Sequence, residues 1–209
     1  MLPIRDFREH YSKGELLEEQ IPQNPIELFD QWFKLAVSES IKEPNAMVLC
    51  TVSIERKPRA RVVLLKDYSH AGFSFYTNYL SAKGREIELN NNVCINFNWL
   101  DLEKQIRIEG KVSKLAPEES DIYFNSRPEG SKIGALISNQ SQPIDSRDEL
   151  DNRLAEFHDS GNIVRPKHWG GYIIKPNLYE FWQGRANRLH DRIQYALKDN
   201  KWAFKRLQP

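Results

Sequence analysis

The chain is short of several things, and each shortage removes a class of function. Two cysteines in 209 residues are too few for a disulfide framework and do not make a zinc site. Cys50 and Cys94 lie in the apolar runs "AMVLCTVS" and "VCINFNW", which predicts buried, reduced thiols and no metal centre. Net charge is scarce: 30 basic residues against 29 acidic ones leave +1. A chain built to track nucleic acid carries a basic excess, so no nucleic-acid partner is expected. No apolar run approaches the roughly 20 residues that cross a bilayer, and no charged-then-apolar leader opens the chain. These absences predict a soluble cytoplasmic protein with no membrane partner. Internal repeats, low-complexity linkers and the Walker or dinucleotide glycine patterns are missing too. The economical division is a mobile arm or lid over residues 1–23, then one domain over 24–209.

What is present is a local knot of cations. The stretch "WQGRANRLHDR", residues 182–192, gathers Arg185, Arg188, His190 and Arg192 around one acid, Asp191. Cations so close repel one another unless water, acids or an anionic ligand neutralise them. Read as a strand, period two places Arg188, His190 and Arg192 on one face. That pattern fits a solvated edge strand as well as an anion site. The apolar flanks "LYEFW" and "IQY" favour partial burial, and arginine suits bidentate capture of phosphate.

Along the chain, Asn24 is placed to cap a helix with Pro25 in its first position. Phe29, Trp32, Phe33, Ala36 and Val37 recur at helical spacing and predict its buried face. Runs rich in β-branched and aromatic residues then predict strands at "AMVLCTVS", "ARVVLLKDY", "GFSFYTN", "VCINFNW", "KQIRIEGKVSKL", "WGGYIIK", "LYEFWQG", "LHDRIQYAL" and "KWAFKRL". The last two read as a hairpin across Asp199 and Asn200. Helices are expected at "SAKGREIELN" with Ser81 as cap, from Pro117, at "SKIGALIS" and over "SRDELDNRLAEFHDS". About nine strands with helices in clumps give a mainly antiparallel β fold, a sheet or barrel with helices outside.

Two further segments carry phosphate-like chemistry. In "RARVVLLK", Arg61 and Lys66 bracket apolar residues, predicting a buried strand with a cation near each end. Tyr76, Thr77, Ser81, Lys83 and Arg85 cluster around a helix start, where backbone N–H groups favour anions. Tyr123, Arg127 and Ser131 recur at spacings of four and line one side of a helix, continuous or broken at Pro128. An exposed helix face explains that spacing equally well. Two phosphate-like constellations together point to a phosphorylated cofactor and a phosphorylated substrate.

At this point the chain resembles the pyridoxamine 5′-phosphate oxidase family, through "RVVLLK", "FYTN", "YFNSRP", "IGA" followed by "SNQS", "WGGY" and "EFWQGRANRLHDR", in that order. The resemblance runs from about Arg8 to the terminal "RLQP". It implies a homodimeric, flavin mononucleotide (FMN)-binding split β-barrel, antiparallel with peripheral helices and with FMN at the subunit interface. The implied reaction oxidises pyridoxamine or pyridoxine 5′-phosphate to pyridoxal 5′-phosphate, with O2 as acceptor and hydrogen peroxide released. The family pattern lays flavin contacts on Arg61, Val62, Val63, Leu64, Leu65, Lys66, Tyr76, Thr77, Lys83, Gln105, Gln140, Ser141, Trp182 and Arg192. It lays the substrate on Arg8, Tyr11, Lys66, Tyr123, Arg127, Ser131, Arg188, Leu189 and His190, with Arg188 and His190 at the chemistry. One departure stands out: the family's Ser-Arg-Lys at the flavin phosphate is "SAK" here, with Ala82 in the arginine's place. Two rival functions remain alongside, a split-barrel flavin reductase with another substrate and a non-catalytic carrier of pyridoxal phosphate.

Overall fold

A computed structural model of the chain describes residues 4–7, 9–157 and 163–209. Among them are helix α1 (Pro25–Ser38), strands β1 (Ala46–Val52), β2 (Pro58–Leu64), β3 (Asp67–Ser69) and β4 (Gly72–Asn78), helix α2 (Ala82–Leu89), and strands β5 (Asn92–Trp99) and β6 (Lys104–Lys114). Helices α3 (Pro117–Ser126), α4 (Glu129–Ile137) and α5 (Arg147–Ala155) follow, then β7 (Trp169–Gln183), β8 (Asp191–Lys198) and β9 (Lys201–Leu207). The strands form an open antiparallel sheet in the order β2-β1-β5-β6-β7-β4-β3, with β8 on β7 and β9 on β8. No helix among the described residues is long and apolar enough to cross a membrane.

The chain groups into two compact units. The first comprises Met1–Leu49, Cys94–Gly110 and Pro176–Pro209. The Asn24 side chain accepts from the Ile26 N–H, and Pro25 occupies the first helical turn, as the cap signals require. Ile26, Leu28, Phe29, Trp32 and Ala36 bury. Val37 does not; it is 54% exposed, because the buried stripe runs toward Ile26 and Leu28 instead. Phe29 meets Phe97 edge-on at 5.1 Å, Trp32 meets Phe181 at 5.3 Å, and Phe181 meets Tyr195 at 5.8 Å. Edge-to-face pairs at these separations add to the area they bury. The β8–β9 hairpin turns where expected, with Asp199 and Asn200 both at positive φ, the geometry of a two-residue turn that matches strand twist.

The stretch from Ser12 to Glu18 is pinned rather than merely draped. Glu103 accepts from the Ser12 and Lys13 N–H groups at 2.9 and 2.8 Å. Asp191 accepts from the Leu16 N–H at 3.1 Å, and Leu16 is buried. Arg206 donates to Glu18 and to the Leu16 carbonyl.

The second unit comprises Cys50–Val93 and Lys111–Lys175. Its core centres on β4, where Phe73 and Phe75 are fully buried, paired with the start of β7 from Phe73↔Ile174 to Asn78↔Trp169. Ser81 caps α2, accepting from the Gly84 N–H at 3.2 Å.

Three strand expectations need correction. "ARVVLLKDY" is not one buried strand: it breaks into β2 and β3, and Val62 is 65% exposed. β2 ends the strand order and pairs on one side only, and its apolar run lines a cavity rather than the core. "WGGYIIK" and "LYEFWQG" are a single strand, β7, which pairs with β4 up to Ile174 and with β8 from Leu178. Pro176, which has no N–H to donate, falls between the two ladders. "LHDRIQYAL" begins as a strand only at Asp191. Of the segment read as an amphipathic helix, Arg147–Ala155 is helical but buries no side chain, and residues 158–160 lie outside the described residues.

The paired glycines of "WGGY" are steric requirements. A Cβ on Gly170 would strike the Tyr79 hydroxyl, and one on Gly171 would lie 2.6 Å from Leu115 Cδ1 and 2.7 Å from Tyr76 Cε1. Gly130 in α4 meets nothing within 4 Å. Gly171→Ala is therefore expected to destabilise the fold by about 1–3 kcal/mol through overpacking, while Gly130→Ala stabilises it by up to about 1 kcal/mol. Urea unfolding of the two variants checks the contrast; equal midpoints would refute it.

Candidate functional site

The second unit holds an open cavity of about 640 Å³ lined by β2, the end of β4, the first turn of α2, and α3–α4. Arg61, Val62, Val63, Leu64, Lys66, Tyr76, Thr77, Lys83, Tyr123, Arg127, Ser131 and Gln140 all reach it. Nine of the fourteen residues expected at the flavin and all four of Lys66, Tyr123, Arg127 and Ser131 thus line one hollow.

At one end, Lys83 Nζ donates to Thr77 Oγ1 and to Gln140 Oε1, both at 3.2 Å, and the Thr77 hydroxyl donates to Gln140 Oε1 at 3.1 Å. Burial, and then the nearby Arg61 charge, push the Lys83 pKa below its usual range. An anion seated here would relieve both penalties. Arg61 donates to Thr51 Oγ1 and to Glu86 Oε2, the latter at 3.0 Å. Glu86 is buried on α2 and also faces Arg59 at 3.4 Å. Arg85 Nε donates to the Leu80 carbonyl at 2.9 Å.

At the other end, Tyr76, Tyr123 and Trp169 stack nearly parallel: Tyr76 and Tyr123 at 3.9 Å, Tyr123 and Trp169 at 6.2 Å with planes 7° apart. Arg127 closes α3 just before Pro128, with its guanidinium 4.6 Å from the Trp169 ring centre. Its Nη1 is buried with no hydrogen-bond partner among the described residues, and burial lowers its pKa. The helix does break at Pro128, and Tyr123, Arg127 and Ser131 still line the same cavity.

The first unit holds a second cavity of about 610 Å³, lined by Tyr11, Trp182, Arg185, Asn187, Arg188 and His190 with Phe7, Glu9 and His10. The strand argument that put Arg188, His190 and Arg192 on one face does not hold. Ala186–Arg188 is a 3-10 turn with Asn187 and Arg188 at φ 59° and 60°. The Leu189 N–H donates to the Ala186 carbonyl, and the Arg185 N–H donates to His190 Nδ1 at 3.1 Å. The turn, not a pleat, brings Arg188 and His190 to one cavity. Trp182 lies 4.6 Å from the His190 ring, and Tyr11 meets both edge-on.

Other expected residues fall elsewhere. Arg192 is held by Glu180 Oε1 at 2.7 and 3.0 Å and donates to the Gln208 carbonyl. Gln105 lines a smaller cavity of about 260 Å³ with Tyr11, Lys104 and Trp182. There burial pushes the Lys104 ammonium down to about 8, over the Trp32 ring at 4.3 Å. Leu65 is buried and does not line the large cavity, Leu189 is 68% exposed, and Ser141, at φ 70°, lies beside Gln140 off the lining. Arg8 lies outside the described residues. Sequence reasoning gave no site role to Trp169, Glu86, Asn187 or Arg185, though Arg185 belonged to the cation cluster and Trp169 and Asn187 to the motifs "WGGY" and "EFWQGRANRLHDR".

Residues 33–160 match the family model described as pyridoxamine 5′-phosphate oxidase, and residues 169–209 match pyridoxine 5′-phosphate oxidase C-terminal dimerisation region. The pyridoxine/pyridoxamine 5′-phosphate oxidase of Flavobacterium psychrophilum is 50% identical over 214 residues, covering 100% of both chains. That of Bordetella pertussis is 50% identical over 212 residues with the same coverage. Among solved structures, PhzG from Burkholderia lata, in complex with tetrahydrophenazine-1-carboxylic acid, superposes with a TM-score of 0.88 at 28% identity, over 95% of this chain and 100% of that one. A pyridoxamine 5′-phosphate oxidase-related, FMN-binding protein from Nostoc punctiforme shares the fold, with a TM-score of 0.74 at 14% identity over 90% and 100% of the two chains.

Burial first, then the Arg188 charge, lower the His190 pKa, against the opposing pull of Asp191. The imidazole is therefore expected to titrate below its ordinary 6.5 and to stay neutral at physiological pH. Arg188→Ala removes one of the two depressing causes and raises that midpoint. NMR titration of the ring reads both, and a wild-type midpoint above 6.5 would refute the placement.

Proposed function

The chain belongs to the pyridoxine/pyridoxamine 5′-phosphate oxidase family, and from that membership we propose that it oxidises pyridoxamine and pyridoxine 5′-phosphate to pyridoxal 5′-phosphate. The observation that carries this reading is the buried, unpartnered Arg127 Nη1 beside Lys66, Tyr123 and Ser131. A cation so placed is the donor that a phosphate ester satisfies.

The residues also fit flavin mononucleotide. Lys83, Thr77, Gln140 and Arg61 form a cradle for its phosphate, and the exposed apolar run Val62–Leu64 offers a ledge for its ring. A bound flavin supplies acceptance of a hydride from the substrate's 4′ carbon and passage of the electrons to O2 as hydrogen peroxide. Everything else is the protein's work. Lys66, Tyr123, Arg127 and Ser131 hold the substrate phosphate, fixing its orientation. Arg188 faces the reacting amine or alcohol. His190 has Nδ1 occupied by the Arg185 N–H, so the neutral ring keeps its proton at Nε2 and serves as a hydrogen-bond donor rather than a base. Tyr11 and Trp182 flank it and exclude water.

The proposal includes a homodimer with the flavin at the subunit interface. In its support, Trp182, Arg188, His190 and Arg192 all fall within the match to the dimerisation region. Purified protein should be yellow, dimeric and produce peroxide when given pyridoxamine phosphate under air. Arg188→Ala should lower turnover about a hundredfold, as expected for a group acting at the reacting carbon. A yellow protein without this turnover is a flavin enzyme of another substrate; a colourless one that flavin cannot reconstitute is no oxidase.

The Ala82 position gives a separate test. Arg85 is engaged by the Leu80 carbonyl and does not line the cavity, so it leaves the family arginine's place open. Ala82→Arg should tighten flavin binding about tenfold, in keeping with one added, part-exposed charge-assisted bond, with turnover of the saturated enzyme unchanged. Flavin titration by fluorescence checks it; unchanged affinity would reject the idea.

A further inference from the structure

We propose that Trp169 is the positioning residue for substrate phosphate: its indole face holds the Arg127 guanidinium as an unneutralised cation, and so selects phosphorylated over unphosphorylated vitamers. This deepens the oxidase reading and rests on its choice of substrate class.

The arginines of this chain are mostly met by acids. Arg61 has Glu86, Arg107 and Arg192 share Glu180, Arg165 has Asp121, and Arg185 and Arg206 share Asp191. Arg127 has no ion-pair partner among the described residues. It has rings instead, Trp169 at 4.6 Å and Phe124 at 5.8 Å. The difference is chemical. A carboxylate would cancel the charge and occupy the N–H donors that a phosphate needs. A ring face stabilises the cation and takes none of them.

Trp169 is built to stay in place. It is buried, stacks on Tyr123 and on Tyr76, and meets Phe124 edge-on at 5.2 Å. Its carbonyl accepts from Arg165 Nη1 at 2.7 Å, while Arg165 Nε donates to Asp121 on α3 at 2.6 Å. The same arginine thus ties the indole's backbone to the helix that Arg127 terminates. The glycines that follow let Tyr79 and Tyr76 close against the strand, which completes the stack. The lowered Arg127 pKa is the mark of a desolvated cation.

The test uses the flavin-loaded enzyme, with calorimetric binding of pyridoxal 5′-phosphate and of pyridoxal beside steady-state kinetics. Trp169→Leu should weaken pyridoxal 5′-phosphate binding and raise KM about tenfold or more, with kcat and pyridoxal binding unmoved. Trp169→Phe, which keeps a weaker ring face, should recover most of that loss. Arg127→Lys, which keeps charge but not the planar stack, should lose about as much as Trp169→Leu. Melting temperature and flavin content accompany each variant, and Trp169→Phe against Arg127→Lys decides the matter if Trp169→Leu does not fold. Unchanged KM in Trp169→Leu, equal losses for both ligands, or a fully active Arg127→Lys would each overturn the proposal. If wild type binds pyridoxal 5′-phosphate through this pair yet oxidises nothing, the oxidase reading fails and the positioning role stands.

Discussion

Whether a carboxylate stands beside an arginine decides what that arginine does in this molecule. Glu86 draws Arg59 and Arg61 together and ties both to α2. Glu180, 5% exposed on β7, anchors Arg107 and Arg192. Asp191 collects Arg185, Arg206 and the Leu16 N–H, fastening the chain's first segment to β8. Pairing of this kind ties elements together, and of the arginines so held Arg61 and Arg185 also line a cavity. Arg127 has no acid beside it among the described residues and meets rings instead, where it lines the cavity of about 640 Å³.

Local chemistry made much of the fold legible. Asn24, Ser81 and the Asp199–Asn200 turn act through their immediate neighbours, so their signals survive in the sequence. What was illegible depended on partners far along the chain. Period and composition identify "RVVLL" as a strand but not as the end of the strand order, where one edge stays unpaired. They cannot show that β7 changes partner near Pro176 and is one strand rather than two. Val37 was misplaced for a related reason: helical spacing defines a stripe, while its width depends on what packs against it.

The site divides along the same line. Tyr123, Arg127 and Ser131 were found by spacing, and Lys83 with Thr77 by their position around a helix start; all five line one cavity. Two neighbours of these residues, Glu86 beside Arg61 and Trp169 beside Arg127, were given no site role from the sequence. The cluster around His190 was found by composition and misread in conformation. Its residues converge through a turn whose left-handed backbone at two non-glycine residues no periodicity announces.

That turn has a consequence for how the chain can vary. At φ 59°, Asn187 occupies backbone space that asparagine and glycine tolerate and that β-branched side chains resist. Arg188, beside it at 60°, also lines the cavity, and the proposed function leaves it no such freedom to trade. The conformational burden of the pair therefore falls on position 187. Drift at this site is confined to a short alphabet of permissive residues, although the side chain there need touch no ligand. Among diverging sequences such narrowness would imitate a recognition signature, when its origin is a dihedral angle.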